Sequence, residues 1–333
     1  MKKLLITAPH LISHGGGEQL ILDFYKYFKK KNKVNIWTWR VDAKKTFPEF
    51  SNEKIVKVFG KNCRYLEKIL TWINLDCKKF DIVLATGFPS YFCSLTNKNV
   101  ITKIMIIPEY VKNPLFLPLK FIDSLALKKC KKIIVDCKSM QKKLKKVYGC
   151  NSIIINPGIN LNLYKKGKFE NYFLHVSRLD KEKNVDKLIK EWNLKDELII
   201  VGDGEEEYKK HLIYLSKNKN IKFVGNKNKK ELAKLYSNCN ALLLAAEDEP
   251  FGLVILEGMA SGKPIIAINT GGPKDLIKKD FGFLCKNQKE IVEKAKILSG
   301  NKKLAKTMGN KAFELSKNYS LKNYLSKIEI EIN

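Results

Sequence analysis

Two glutamates, Glu249 and Glu257, stand eight residues apart in a chain of 333. Eight residues is a little over two helical turns. If Glu249 precedes a helix and Glu257 lies within it, both carboxylates can point into one cleft. A carboxylate near the helix start also has positively polarised amides close by. The acidic cluster Glu247, Asp248 and Glu249 follows the apolar run Ala-Leu-Leu-Leu-Ala-Ala, where an open parallel sheet binds ligands past the carboxyl end of a strand. A lone pair at this spacing is most simply a solvated acidic loop, so the flanking residues decide its meaning. A second candidate is the run Gly15-Gly16-Gly17 at the opening of a helix. Glycines let backbone approach a ligand closely, and helix-start amides attract phosphate. The run reads GGGE and not GxGxxG, so the dinucleotide fingerprint is unmet. Of four histidines, His14 sits in this loop as a plausible ligand contact, whereas His175 lies inside a strand pattern and reads as a core group. The eight cysteines are scattered without metal-ligand spacing, and reduced, mostly buried thiols are expected.

The elements that must carry these residues follow from hydrophobic periodicity. Residues 3–9 read as a buried strand. Leu20, Ile21, Phe24, Tyr27 and Phe28 give the residues after the glycine run a helical face. Further strands are predicted at 34–39, 55–59, 82–85, 101–107 and 133–136, with helical patterns between several of them. The turn Asn156-Pro157-Gly158-Ile159-Asn160 ends regular structure. A second alternation follows, with strands at 173–177, 198–201, 221–224, 241–245 and 264–268. Helices are predicted at 185–192, 205–216, 229–238, 252–260 and 273–279, then to the C-terminus. Strands alternating with helices imply mostly parallel sheets. The domain link is placed at about residues 160–170, giving domains 1–165 and 166–314.

An apolar fraction of 44% suits a globular protein with two cores of ordinary size. No apolar run approaches the ~20 residues that span a bilayer, and the opening segment reads as a strand, so a cytoplasmic protein is expected. Charge is uneven. Residues 1–166 hold 32 Lys and Arg against 11 Asp and Glu, a net of +21; residues 167–333 hold 31 against 23, a net of +8. Such a field favours an anionic partner, namely a phosphorylated acceptor, an anionic membrane or nucleic acid. The densest runs are Lys128-Lys129-Cys130-Lys131-Lys132 and Lys142-Lys143-Leu144-Lys145-Lys146. Met140, Leu144, Val147 and Tyr148 share a helical face, which fits packing on the domain with a basic outer side that could rest on lipid head groups. The stretch Pro114–Leu119 is a candidate membrane-facing loop.

The segment EPFGLVILEGMASGKPIIAINTGGPKDLI resembles the signature of glycosyltransferase family 4, retaining enzymes with the GT-B fold. The resemblance continues in order along the chain. His14-Gly-Gly-Gly-Glu18 is similar to the acceptor-side loop. Asn156-Pro-Gly-Ile-Asn160 is similar to the interdomain turn, with Asn160 where Asp is usual. Ser177-Arg-Leu-Asp-Lys-Glu-Lys-Asn184 is similar to the motif that grips the donor phosphates. Gly202-Asp-Gly204 is similar to a Gly-rich turn after the next strand. The match is strong from 173 to 280 and weak from 32 to 150.

The resemblance implies two facing Rossmann-like domains with parallel sheets and an interdomain cleft, and a C-terminal helix, about 315–333, that crosses back to the first domain. It implies transfer of a hexose from a nucleoside diphosphate sugar to a lipid-linked, polysaccharide or small-molecule acceptor. Arg178 and Lys183 would take the leaving diphosphate, the first as a planar fork and the second as a mobile point charge. Glu257 would hold the ribose hydroxyls and Glu249 would lie by the transferred sugar. Gly16, Gly17, Gly202, Gly204, Phe251, Gly252, Leu253, Gly271 and Gly272 complete the donor contacts. His14, Glu18 and Glu109 belong to the acceptor side, Glu109 standing where many relatives carry a histidine. Configuration would be retained by front-face substitution, with no protein nucleophile, no cofactor and no metal. Other classes fit less well. A non-catalytic sugar-nucleotide or glycan-binding module leaves the joint presence of Arg178, Lys183, Glu249 and Glu257 unexplained. A nucleic-acid-binding protein lacks any module signature. A GT-B epimerase or phosphorylase shares the fold and differs in needing no sugar acceptor or in needing inorganic phosphate.

Overall fold

The structure, a computed structural model, describes residues 1–13, 15–42, 44–52, 54–58, 65–108 and 117–333, the side chains of 65–68 excepted. The chain divides into two compact units, residues 1–156 with 325–333, and residues 157–324. Each is a parallel sheet with helical crossovers, an α/β architecture as the alternation of elements implies.

The first unit holds strands β1 (Lys3–Ala8), β2 (Lys33–Thr38), β3 (Val56–Val58), β4 (Ile82–Thr86), β5 (Val100–Ile104), β6 (Lys132–Val135) and β7 (Ile153–Ile154), in the order β3-β2-β1-β4-β5-β6-β7. Its helices are α1 (Gly16–Phe28), α2 (Tyr65–Ile73), α3 (Leu117–Lys129) and α4 (Lys138–Tyr148). β4 and β5 are buried along their whole length, so β4 reads as a nearly continuous apolar run and not as an alternation, while β5 buries Lys103 against Asp136. On α4 the predicted inner face holds, with Met140, Leu144 and Tyr148 buried.

The second unit holds β8 (Tyr172–Val176), β9 (Glu197–Val201), β10 (Ile221–Phe223), β11 (Leu242–Leu244), β12 (Ile265–Ile268) and β13 (Gly282–Cys285). Their order, β10-β9-β8-β11-β12-β13, runs outward from β8 to one edge and then resumes on the other side of β8. The strand order therefore reverses between β8 and β11. The helices are α5 (Val185–Glu191), α6 (Glu206–Leu215), α7 (Lys229–Asn238), α8 (Leu253–Ala260), α9 (Gly271–Leu276), α10 (Gln288–Gly300) and α11 (Lys302–Ser316). Phe173, Trp192, Leu198, Leu243 and Ile266 lie in one buried core, with Phe173 edge-on to Trp192 at 5.5 Å. α7 opens on a full capping box, Asn228 with Glu231. β13 is a strand where helices were predicted to run on. Four residues are too few to show a period, and Gly282–Cys285 is a strand because it pairs in register with Ile265–Ile268.

A final helix, α12 (Leu321–Ile332), buries Leu325, Ile328 and Ile332. Its later residues are held to the first unit. Glu329 accepts from Tyr27 at 2.7 Å and pairs with Lys31 at 2.9 Å, and Lys132 reaches Glu331 at 2.9 Å. No helix among the described residues is long and apolar enough to cross a membrane.

Candidate functional site

The turns that leave β8 and β11 carry the charged residues singled out above, at the carboxyl ends of neighbouring strands. After β8, Ser177 and Arg178 lead into a short turn of helix at Lys181–Lys183. After β11, Glu247 to Glu249 lead to Gly252 and then α8. Lys183 Nζ donates to Glu249 Oε2 at 2.7 Å, and both side chains are mostly buried. This bond spans the place where the strand order reverses, where open α/β sheets bind their ligands. Arg178 is more exposed and approaches Asp180 at 3.2 Å.

Backbone contacts hold these turns in place. Gly202, at φ +141°, leaves β9 so close to the first turn that a Cβ there would lie 1.8 Å from the Ser177 carbonyl oxygen. Leu179 N donates to Asp203 O at 2.9 Å, and a Cβ on Gly204 would meet the Leu179 carbonyl. The Gly-Asp-Gly turn thus supports the Arg178 turn directly, a packing reason for glycine that needs no ligand. Gly271, at φ +57°, does the same for the acidic turn. Its missing Cβ leaves room for the Glu249 carbonyl, which accepts from Gly272 N at 2.8 Å. Asp248 N donates to Thr270 Oγ1 at 3.1 Å.

Glu257, one turn into α8, is gripped on both oxygens. Tyr164 donates to Oε1 at 2.8 Å and Tyr236 to Oε2 at 2.7 Å, with the two rings edge-on at 6.1 Å. Burial pushes the Glu257 carboxyl above its ordinary pKa, and the two tyrosines pull it back. Burial, then the carboxylate, raise both phenols in turn. An ionised carboxylate offers about four acceptor sites, so two phenols orient Glu257 without exhausting it. Neither tyrosine was read as functional. Tyr164 follows the 157–160 turn and Tyr236 ends α7, so only the fold joins them to Glu257. Asn160, the departure from the usual Asp, accepts from Asn162 N at 3.2 Å, a capping role that either residue fills.

His175 lies beneath the site on β8. Its Nδ1 is 3.0 Å from Leu243 O and its Nε2 is 2.9 Å from Ser177 Oγ. Burial lowers its pKa to about 4, against the Leu243 carbonyl, with a smaller contribution from Lys183. It is a neutral, bonded core group. Phe251 and Gly252 lead into α8, which opens at Leu253, and Phe251 is buried.

Gly16, Gly17 and Glu18 belong to the first unit, at the start of α1 after β1. β1 adjoins β4, and strand order reverses between these two. Glu18 is turned inward to accept from Ser13 Oγ at 2.7 Å. His14 and Glu109 lie outside the described residues.

Residues 162–315 match the family model for glycosyl transferases group 1. An uncharacterized glycosyltransferase of Haemophilus influenzae is 31% identical over 365 residues, covering 98% of this chain and 99% of its own length. The chain belongs to the glycosyl transferases group 1 family. Two other relatives match over only about half of their own length. They are an uncharacterized glycosyltransferase of Methanocaldococcus jannaschii, 33% identical across 57% of this chain and 55% of its own, and a probable sucrose-phosphate synthase of Thermosipho melanesiensis, 34% identical across 54% and 47%. Among solved structures, Anabaena HepE in complex with UDP and glucose superposes with a TM-score of 0.81 at 18% identity, covering 100% of this chain and 99% of that one. The fold of this group 1 glycosyl transferase is accordingly GT-B.

Proposed function

We propose that this glycosyltransferase moves a hexosyl group from a nucleoside diphosphate sugar to an acceptor hydroxyl with retention of configuration, as a family 4 enzyme. The observation that carries this reading is the Lys183–Glu249 bond across the switch point of the second unit, with Tyr-held Glu257 eight residues further on. Arg178 and Lys183 are assigned to the diphosphate. Lys183 has three donors, of which Glu249 takes one, so it can also serve phosphate oxygens. A fixed cation at a leaving diphosphate stabilises charge as it develops, a contribution of about 3–4 kcal/mol per preorganised donor in comparable sites. That positive charge is proposed to replace a metal. Glu257 is assigned to the ribose hydroxyls, for which a carboxylate with spare acceptor sites is suited. Glu249, whose other partner is Lys183, is assigned to the sugar, with Gly271 and Gly272 near it. The acceptor, lipid-linked, polysaccharide or small, is assigned to the first unit with its Glu18 and net basic charge.

The test is a thermal-shift panel of UDP-, GDP- and ADP-sugars on the wild type and on Glu257→Ala. One nucleotide class should stabilise the wild type, by about 2.7 kcal/mol at 100 times its dissociation constant, and the variant should lose the effect. A wild type that no nucleotide sugar stabilises would overturn the reading.

A further inference from the structure

The outer face of α3 is apolar where a solvated helix would be polar. Leu117, Phe121 and Leu125 recur at every fourth position, on one stripe, and are 62%, 71% and 41% exposed. The inner side of the same helix is satisfied. Asp123 is buried and accepts from Tyr91 and Tyr148, and Ala126 and Leu127 are fully packed. The stripe is therefore surplus to the fold. A helical turn beyond Leu125 the same face continues as Lys128 and Lys129, both exposed.

The exposed charge along residues 117–149 has one sign. Residues 117–149 contain ten lysines and two acids, and both acids, Asp123 and Asp136, are buried, the second against Lys103. Lys132 is paired with Glu331. α4 packs beside α3, with Ser124 Oγ donating to Tyr148 O at 3.4 Å, and Lys128 and Lys145 both act on the Cys150 thiol. The lysines at the ends of the two helices thus approach one another at Cys150, a helical turn beyond the last residue of the stripe. A second protein would need carboxylates at matching points. A plane of anionic head groups over hydrocarbon matches both features at once, since apolar side chains enter the acyl boundary and lysine stems reach up to phosphate.

We propose that α3 is a docking helix for an anionic lipid bilayer, with Leu117, Phe121 and Leu125 as the inserted residues and Lys128, Lys129 and Lys145 as the rim. The assignment stands apart from the transferase reading, because it rests on no residue of the donor site. The stripe gives hydrophobic insertion, and each rim lysine contributes about fivefold in partitioning to an anionic surface.

The test is co-sedimentation of the full chain with vesicles of phosphatidylcholine alone and of phosphatidylcholine with phosphatidylglycerol. Binding is expected to the anionic vesicles only, and to fall at about 1 M salt, where screening acts within ~3 Å. Phe121→Ser with Leu125→Ser should weaken binding at least tenfold, and Lys128→Glu with Lys129→Glu should reduce it at least as far. Both are surface changes, and the nucleotide-sugar shift of each variant reports separately on the donor site. Anionic binding unaltered by Phe121→Ser with Leu125→Ser would overturn the proposal, since general lysine richness would then explain it. So would a concentration-dependent dimer that the same pair of changes dissolves, because a second copy would then cover the stripe.

Discussion

Replacing Tyr236 by phenylalanine removes one of the two hydroxyls that hold Glu257 and leaves the buried ring in place. No cavity larger than the hydroxyl is created, so the unit should fold. The lost bond is a hydroxyl to a carboxylate, worth about 1.5–3 kcal/mol. Burial already raises the Glu257 carboxyl, and Tyr236 is the larger of the two hydrogen-bond effects that oppose this. Without it the carboxyl rises further. A Glu257 carboxylate held by one tyrosine only is less well oriented toward ribose hydroxyls, so the variant should lose nucleotide affinity by up to the worth of the lost bond, roughly 10- to 100-fold. The sign of the pH dependence follows. Affinity should recover as pH rises through the raised pKa, because deprotonation restores the acceptor. Calorimetric titration with the nucleoside diphosphate that stabilises the wild type, repeated at increasing pH, reads both effects. Glu257→Gln, which cannot titrate, should bind weakly without that recovery. If Tyr236→Phe binds as the wild type throughout while Glu257→Gln does not, the tyrosine is not what holds the carboxylate. If both bind normally, Glu257 is no nucleotide ligand.

Lys183→Ala should lower kcat by about 100- to 1000-fold with a smaller change in KM, measured by nucleoside diphosphate release, because the charge it supplies grows toward the transition state. Gly202→Ala should lower the denaturant midpoint by the equivalent of about 3 kcal/mol, since the new Cβ meets the Ser177 carbonyl at 1.8 Å and φ is +141°. His175 has an ordinary pKa of 6.5 and is held at about 4, so between these values the unfolded chain binds a proton that the folded one refuses. Stability is therefore lost as pH falls through this window, by about 3 kcal/mol in all, and equilibrium unfolding of His175→Gln should lack that component. Lys103→Met should cost about 3–5 kcal/mol by stranding the buried Asp136, and adding Asp136→Leu should restore much of it in a chemical denaturation cycle.

Much of the second unit was legible because its strands are short, apolar and separated by strong turn signals. The acidic turn after β11 was found through its flanks, and the structure sets Glu249 against Lys183, 66 residues earlier. What sequence could not supply were partners distant along the chain. Tyr164 stands 93 residues from Glu257, and a tyrosine at a helix end carries no local mark of the carboxylate it will hold. Gly202 and Gly204 were read as donor contacts, and the structure adds a packing reason for both, since the place of a side chain is filled by the Ser177 and Leu179 carbonyls. A glycine in a sequence signals close approach without naming what approaches. Of the exposed face of α3 only Leu117 was singled out, in the candidate membrane-facing loop Pro114–Leu119, whose residues 117–119 are helical, and the rest was missed for a related reason. Leu117, Phe121 and Leu125 look like any core stripe until the packing shows the opposite side of the helix turned inward.

The division of the chain also has a consequence for synthesis. Residues 325–333 belong with residues 1–156, yet they are made after all of residues 157–324. On the ribosome, the later unit is a continuous stretch that can reach its native contacts as it emerges. The earlier one must wait, with Tyr27, Lys31 and Lys132 unpaired, until Glu329 and Glu331 arrive. The half that is translated first is thus completed last.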